Sequence, residues 1–190
     1  MGRLLKEQFA KLAVYNSRMN EQIIAAISHV PNKTLWQDKG AEFGSVLGTL
    51  NHIMVIDLLL LKRFDTHPAY PNGFEMLQSL SDFPQAGSIR QTLYPTLSGF
   101  TQARQALDAL ITNFVHEIKD EEFGKTLNGS PSVDVNSQNN SPMNQPFYLL
   151  LQDLFNHQTH HRGQITTLLS QMGIKLKETD FLALVSDDKN

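Results

Sequence analysis

Apolar residues recur at intervals of three and four along four long stretches of the chain, and prolines and glycines separate those stretches. In the first, Leu5, Phe9, Leu12, Met19, Ile23 and Ile27 share one stripe between Leu4 and Ser28, and Pro31 closes it, which predicts an amphipathic bundle helix. Asn16 breaks the stripe between Leu12 and Met19, so an amide sits where a core residue is expected; a helix-edge amide bonded to a neighbour is the simplest account. A second stretch runs from Val46 to Phe64, starting near Gly44-Ser45 with Ser45 as its cap. The third spans Ser88 to Asp120 on the row Leu93, Leu97, Phe100, Leu107, Ile111, Phe114 and Ile118, with Pro95 in its first turn. The fourth begins near Pro146 and continues to Met172, where Gly173 ends it.

The connections carry their own predictions. Residues 31–43 hold Pro31, Gly40 and Trp36, the only tryptophan, and form a loop that folds back on the helices. After Phe64 comes a link through Pro68, Pro71, Gly73, Pro84 and Gly87, roughly two dozen residues, enough to cross the length of a helix, so helices two and three run parallel. The segment from Gly124 to Gln145, with Gly129, Pro131 and Pro142 among Ser and Asn, is a loop or a short hairpin. The apolar run Asp180 to Val185 either packs on the bundle or joins a subunit contact. With 190 residues and 41% hydrophobic content, one all-α domain spanning 1–190 is expected.

Chemistry concentrates in the fourth stretch. His157 and His161 lie four residues apart, hence on one helix face, in the row Leu150, Leu154, His157, His161, Ile165 and Leu168. His52 sits in the second stretch on an equally apolar row of Thr49, Val55, Ile56 and Leu59. Three inward histidines from two helices make a three-histidine site, which leaves a coordination position for water or substrate. The plainer alternative is a pair of surface or hydrogen-bonded imidazoles, since the HxxxH spacing is common by itself. A zinc-protease site is excluded because Gln158 stands where the general-base Glu would be, and no Glu-x-x-His occurs for a di-iron bundle.

Composition narrows the picture further. There is no cysteine, so thiolate ligands, disulfides and a cysteine nucleophile are all excluded. The net charge of -3, with Lys and Arg scattered singly, gives no support to nucleic-acid binding. The segment Met1 to Glu7 carries charges where a signal peptide needs an apolar run, and Asp57 interrupts the longest apolar run, Ile53 to Leu61, so a cytoplasmic protein with no membrane span is expected.

Tyr15-Asn16 with Asn20, Leu50-Asn51-His52-Ile53 with Asp57, and Asn156-His157 through His161-Arg162-Gly163-Gln164 together resemble the DinB family, the DinB/YfiT-like proteins, which are distinct from the DNA polymerase of the same name. The resemblance implies a four-helix bundle with a long crossover between helices two and three, and one divalent metal ion, nickel or zinc, held by His52, His157 and His161. It suggests a metal-dependent thiol S-transferase acting on a small-molecule substrate with a low-molecular-weight thiol. A metal-dependent hydrolase and a non-catalytic, stress-related metal-binding or interaction bundle are the alternatives. It further implies a homodimer and a damage-inducible protein. Next to the site, His160 falls about 100° around the helix from His161 and is read as surface. Arg162 and Asp57 either pair across helices four and two or stay solvated, and Asp153, one turn before His157, either orients that imidazole or stays solvated.

Overall fold

The structure, a computed structural model, describes residues 2–127 and 145–186. Four long helices carry it: α1 (Gly2–Ile27), α3 (Val46–Phe64), α4 (Leu97–Glu117) and α5 (Phe147–Gln171). Two short ones, α2 (Asn32–Leu35) and α6 (Phe181–Val185), lie between and after them. A 3-10 helix, Met76–Asp82, lies within the crossover, and a two-residue antiparallel pair, β1 (Thr126–Leu127) with β2 (Gln145–Pro146), sets Thr126 opposite Pro146.

Contacts at successive levels fix the helix directions. Asn51 meets Tyr94, Asp57 meets Arg104 and Phe64 meets Phe114, so α3 and α4 run parallel, as the long link requires. Along α1 and α5, Phe9 meets Phe155 and Asn16 meets Arg162, again in parallel. His52 and Phe64 of α3 meet His157 and Phe147 of α5 in the opposite order. The result is an all-α bundle running up, down, down and up, with the crossover between the two middle helices.

The core forms where the apolar rows converge. Phe64, Phe74, Phe114 and Phe147 are fully buried and pack ring to ring, with Phe64 and Phe114 stacked at 5.9 Å. Phe9 stacks between Phe123 at 5.7 Å and Phe155 at 6.2 Å, tying α1 to α5. Phe74 and Leu77 bring the crossover into the same core. The run at 181–185 packs on the bundle: Phe181 sets its ring edge to Tyr15 at 5.4 Å, and Lys11 donates to the Val185 carbonyl.

The largest departure from the pattern is at α4. The third helix starts at Leu97 rather than Ser88 and ends at Glu117 rather than Asp120; Thr96 caps it by accepting from the Gly99 amide at 3.2 Å. Pro95 therefore precedes the cap instead of occupying the first turn. A residue before proline avoids the helical region, and Asn51 captures the backbone there, its Oδ1 accepting from Leu93 and Tyr94 at 2.9 and 2.8 Å. Pro146 is likewise the cap of α5 rather than its first residue. Gly129, Pro131 and Pro142 of the expected loop lie outside the described residues, while its flanks pair as β1 and β2. No helix among the described residues is long and apolar enough to cross a membrane.

Candidate metal centre

His52 lies near the start of α3 because Ser45 fixes where that helix begins: its hydroxyl accepts from the Gly48 amide at 3.0 Å. His157 and His161 project from the middle of α5 onto the same level. The nearest ligand nitrogens of the three rings all lie within 4.8 Å of one another, so this cluster could hold a metal ion. His52 Nε2 is 3.1 Å from His157 Nε2, close to the roughly 3.3 Å that two nitrogens about 2.0 Å from one tetrahedral ion would have.

The outer nitrogens decide which tautomers face inward. His52 Nδ1 lies 2.9 Å from the carbonyl of Ile89, which can only accept, so Nδ1 carries the proton and Nε2 presents a lone pair. His161 Nδ1 lies 2.8 Å from Gln164 Oε1, with the same consequence. Gln164 also bridges to His160 Nε2 at 3.3 Å, which gives the exposed His160 a place beside the site without turning it inward. His157 Nδ1 is buried and finds no hydrogen-bond partner among the described residues. Two lone pairs cannot face each other at this distance, so either His157 Nε2–H donates to His52 Nε2 or a cation lies between the two nitrogens, and the donor set fits a divalent ion of borderline softness.

Burial shapes the charge of all three rings. It holds His157 down to about 3, with the neighbouring His161 and His52 rings adding to the effect. His52 and His161 are lowered chiefly by burial as well, against the proton-holding bonds to Ile89 and Gln164. Neutral imidazoles with inward lone pairs are the form that binds metal.

A turn covers the cluster. Ala41 and Gly44 form an isolated bridge, and Gly44 takes φ +73°, a conformation that side-chain-bearing residues rarely adopt. Gly48 lets this turn press against α3, since a Cβ there would stand 2.1 Å from the Phe43 carbonyl oxygen. Phe43 consequently stacks on His52, centroids 3.6 Å apart, and meets His161 edge-on at 5.5 Å. The Arg90 guanidinium sits 5.1 Å from the Phe43 centroid and donates to the Glu42 carbonyl at 2.9 Å.

Beside the histidines lies a buried polar network that joins the four long helices. Arg104 Nη1 donates to Asp57 Oδ2 at 2.5 Å, and Arg104 Nη2 lies 2.9 Å from Asp108 Oδ1 as an ion pair, without the alignment of a hydrogen bond. Asn16 and Asn20 donate to Asp108 at 3.0 Å. Gln158 donates to Asp57 Oδ1 at 2.8 Å and accepts from Arg162 at 3.1 Å, while Arg162 also donates to Asn16 and Thr159. Of the two readings of Asp57 and Arg162, neither holds among the described residues: both are buried rather than solvated, Gln158 stands between them, and Arg104 takes the carboxylate. Asp153 is exposed and does not partner His157 Nδ1.

The three histidines are legible in the sequence and Gln164 stands in the same motif without an assigned role, whereas Phe43, Ile89 and Arg104 are not picked out there. Arg104 left a signal, since it interrupts the row between Phe100 and Leu107 as Asn16 interrupts its own. Ile89 left none, because it contributes only a backbone carbonyl.

Comparison with known proteins adds to this geometry. A family model described as the DinB family matches residues 1–188. A protein of Bacillus subtilis (strain 168) called Protein DinB is similar to the chain, 25% identical over 173 residues that cover 90% of each. No solved structure gives a significant match.

Proposed function

Since the chain belongs to the DinB family, we propose that it is a metal-dependent enzyme in which His52, His157 and His161 hold one divalent ion, nickel or zinc, and that it transfers a low-molecular-weight thiol to a small-molecule acceptor. The observation that supports this best is the convergence of one ring nitrogen from each of three histidines, with the Nδ1 of His52 and of His161 engaged by acceptors that leave Nε2 as the lone-pair nitrogen. Three protein ligands leave a position open, whereas a structural site closes with four.

When bound, the ion would supply a Lewis acid that lowers the pKa of a thiol or water beside it, which suits a protein with no cysteine of its own. The chain's residues do the rest. Ile89 and Gln164 orient two ligands, and Phe43 covers one face of His52 and packs edge-on against His161. Hydrolysis by an activated water is the second reading, and a non-catalytic metal-binding bundle the third. A cytoplasmic homodimer belongs to the same proposal.

Elemental analysis tests the metal, comparing the untagged chain with a His157→Ala/His161→Ala variant that circular dichroism shows to be helical. About one ion per chain, lost in the variant, is expected. Absence of metal after incubation with nickel and with zinc would overturn the proposal. A screen of thiols with electrophilic acceptors, followed by esters and amides, then separates transferase, hydrolase and inert bundle.

A further inference from the structure

We propose that Gln158 is a positioning residue for the metal centre: wedged between Asp57 and Arg162, it sets the register of α5 against α3 and so places His157 and His161 opposite His52. The inference rests on the metal reading above, and it concerns how the ligands are brought into range.

Gln158 is fully buried and directly follows His157 in the chain; Asp57 follows His52 by five residues on the facing helix. Both ends of its amide are committed. Asp57 offers only acceptors, so it requires the Nε2 end, at 2.8 Å; Arg162 offers only donors, so it requires the Oε1 end, at 3.1 Å. The amide cannot turn around without setting donor against donor and acceptor against acceptor. A slip of α5 by one residue would move Gln158 about 1.5 Å along and 100° around the helix, breaking both bonds and stranding two buried charged groups. Apolar contacts between α3 and α5, such as Phe64 against Phe147, discriminate less sharply, because such side chains repack. Register is therefore carried by the polar bridge, next to the ligands that need it.

Asn20 provides the control. It donates to Asp108 in the same network, but its bonds join α1 to α4, neither of which carries a histidine of the cluster. Zinc affinity is measured for the full chain by competition with a chromophoric chelator, together with the melting temperature of the metal-free protein and the visible absorption of the cobalt(II) form, which reports ligand geometry. Gln158→Met is expected to weaken zinc binding about 10- to 100-fold and to shift the cobalt spectrum. Asn20→Ala is expected to lower the melting temperature while holding the affinity within about threefold and leaving the spectrum unchanged. Wild-type affinity in Gln158→Met, or an equal loss in Asn20→Ala, would overturn the inference and leave the metal centre standing. No zinc binding by the wild-type chain would remove both. Should Gln158→Met fail to fold, NMR of the wild-type chain decides: the Gln158 side-chain amide protons should be protected from exchange and shift when zinc is added, and their rapid exchange or indifference to zinc would overturn the role.

Discussion

At the scale of single residues, the three imidazoles are kept neutral by burial, and that has a consequence for pH. In the unfolded chain His157 takes up a proton near its ordinary value of 6.5, whereas in the fold it does so only near 3. Between these values the unfolded state binds more protons, so His157 favours the metal-free fold fully above about 6.5 and progressively less as the pH falls toward 3. His52 and His161, lowered in the same direction, act alike. Denaturant midpoints of metal-free protein should fall between pH 7.5 and pH 5, and a His157→Gln variant should show a smaller fall; an unchanged pH dependence would show that burial of His157 contributes nothing. Phe43 acts at this scale too, since its ring covers one face of His52 and meets His161 edge-on.

Among the helices, placement depends on how each one starts. Ser45 and Thr96 cap α3 and α4 with hydroxyl oxygens that accept from Gly48 and Gly99. Removing the Ser45 hydroxyl with Ser45→Ala should cost about 1 kcal/mol, lowering the melting temperature by about 2–4 °C for a chain of this size. Calorimetry reads this directly. Gly48 is the tighter constraint. Gly48→Ala would bring a methyl group 2.1 Å from the Phe43 oxygen, so the turn at 41–44 must lift away and Phe43 must leave His52. The expected outcome is loss of nuclear Overhauser contacts between the Phe43 and His52 rings, with the helical circular dichroism retained.

Across the whole molecule, the network of Asn16, Asn20, Asp57, Arg104, Asp108, Gln158 and Arg162 holds two carboxylates and two guanidinium groups in the bundle interior. Their charges balance as a set, so the cost of burial is offset only while every member is present. Burial nevertheless pushes the Asp57 carboxyl up to about 6 against the pull of Arg104 and Gln158. Arg104→Met should strand Asp57 and Asp108 together and cost about 3–5 kcal/mol in urea unfolding. That is a large part of the 5–15 kcal/mol that holds a typical domain together. A cost below about 1 kcal/mol would show that the carboxylates find other partners. Metal acts in the opposite direction: zinc at about 100 times its Kd should add about 2.7 kcal/mol to stability, and the His157→Ala/His161→Ala variant should gain none.

The sequence by itself determined the helices and picked out the three histidines that converge. Helical rows show in a one-dimensional pattern because burial of one face imposes a period near 3.6, and histidines at i and i+4 share a face whatever they pack against. A chain of some two dozen residues is long enough to return along a helix, so the parallel course of α3 and α4 was also legible. Tertiary structure alone decided the partners. Asp57 interrupts an apolar run, but the local pattern leaves open whether it and Arg162 pair or stay solvated; the packing of α4 delivers Arg104 to Asp57 and leaves Gln158 between the other two. The start of α4 at Leu97 was hidden for the same reason, because the Asn51 amide that holds residues 93 and 94 out of the helix lies more than forty positions earlier in the chain. Periodicity encodes which face of an element is buried; which atoms meet there depends on contacts between distant segments, and a local pattern carries no record of them.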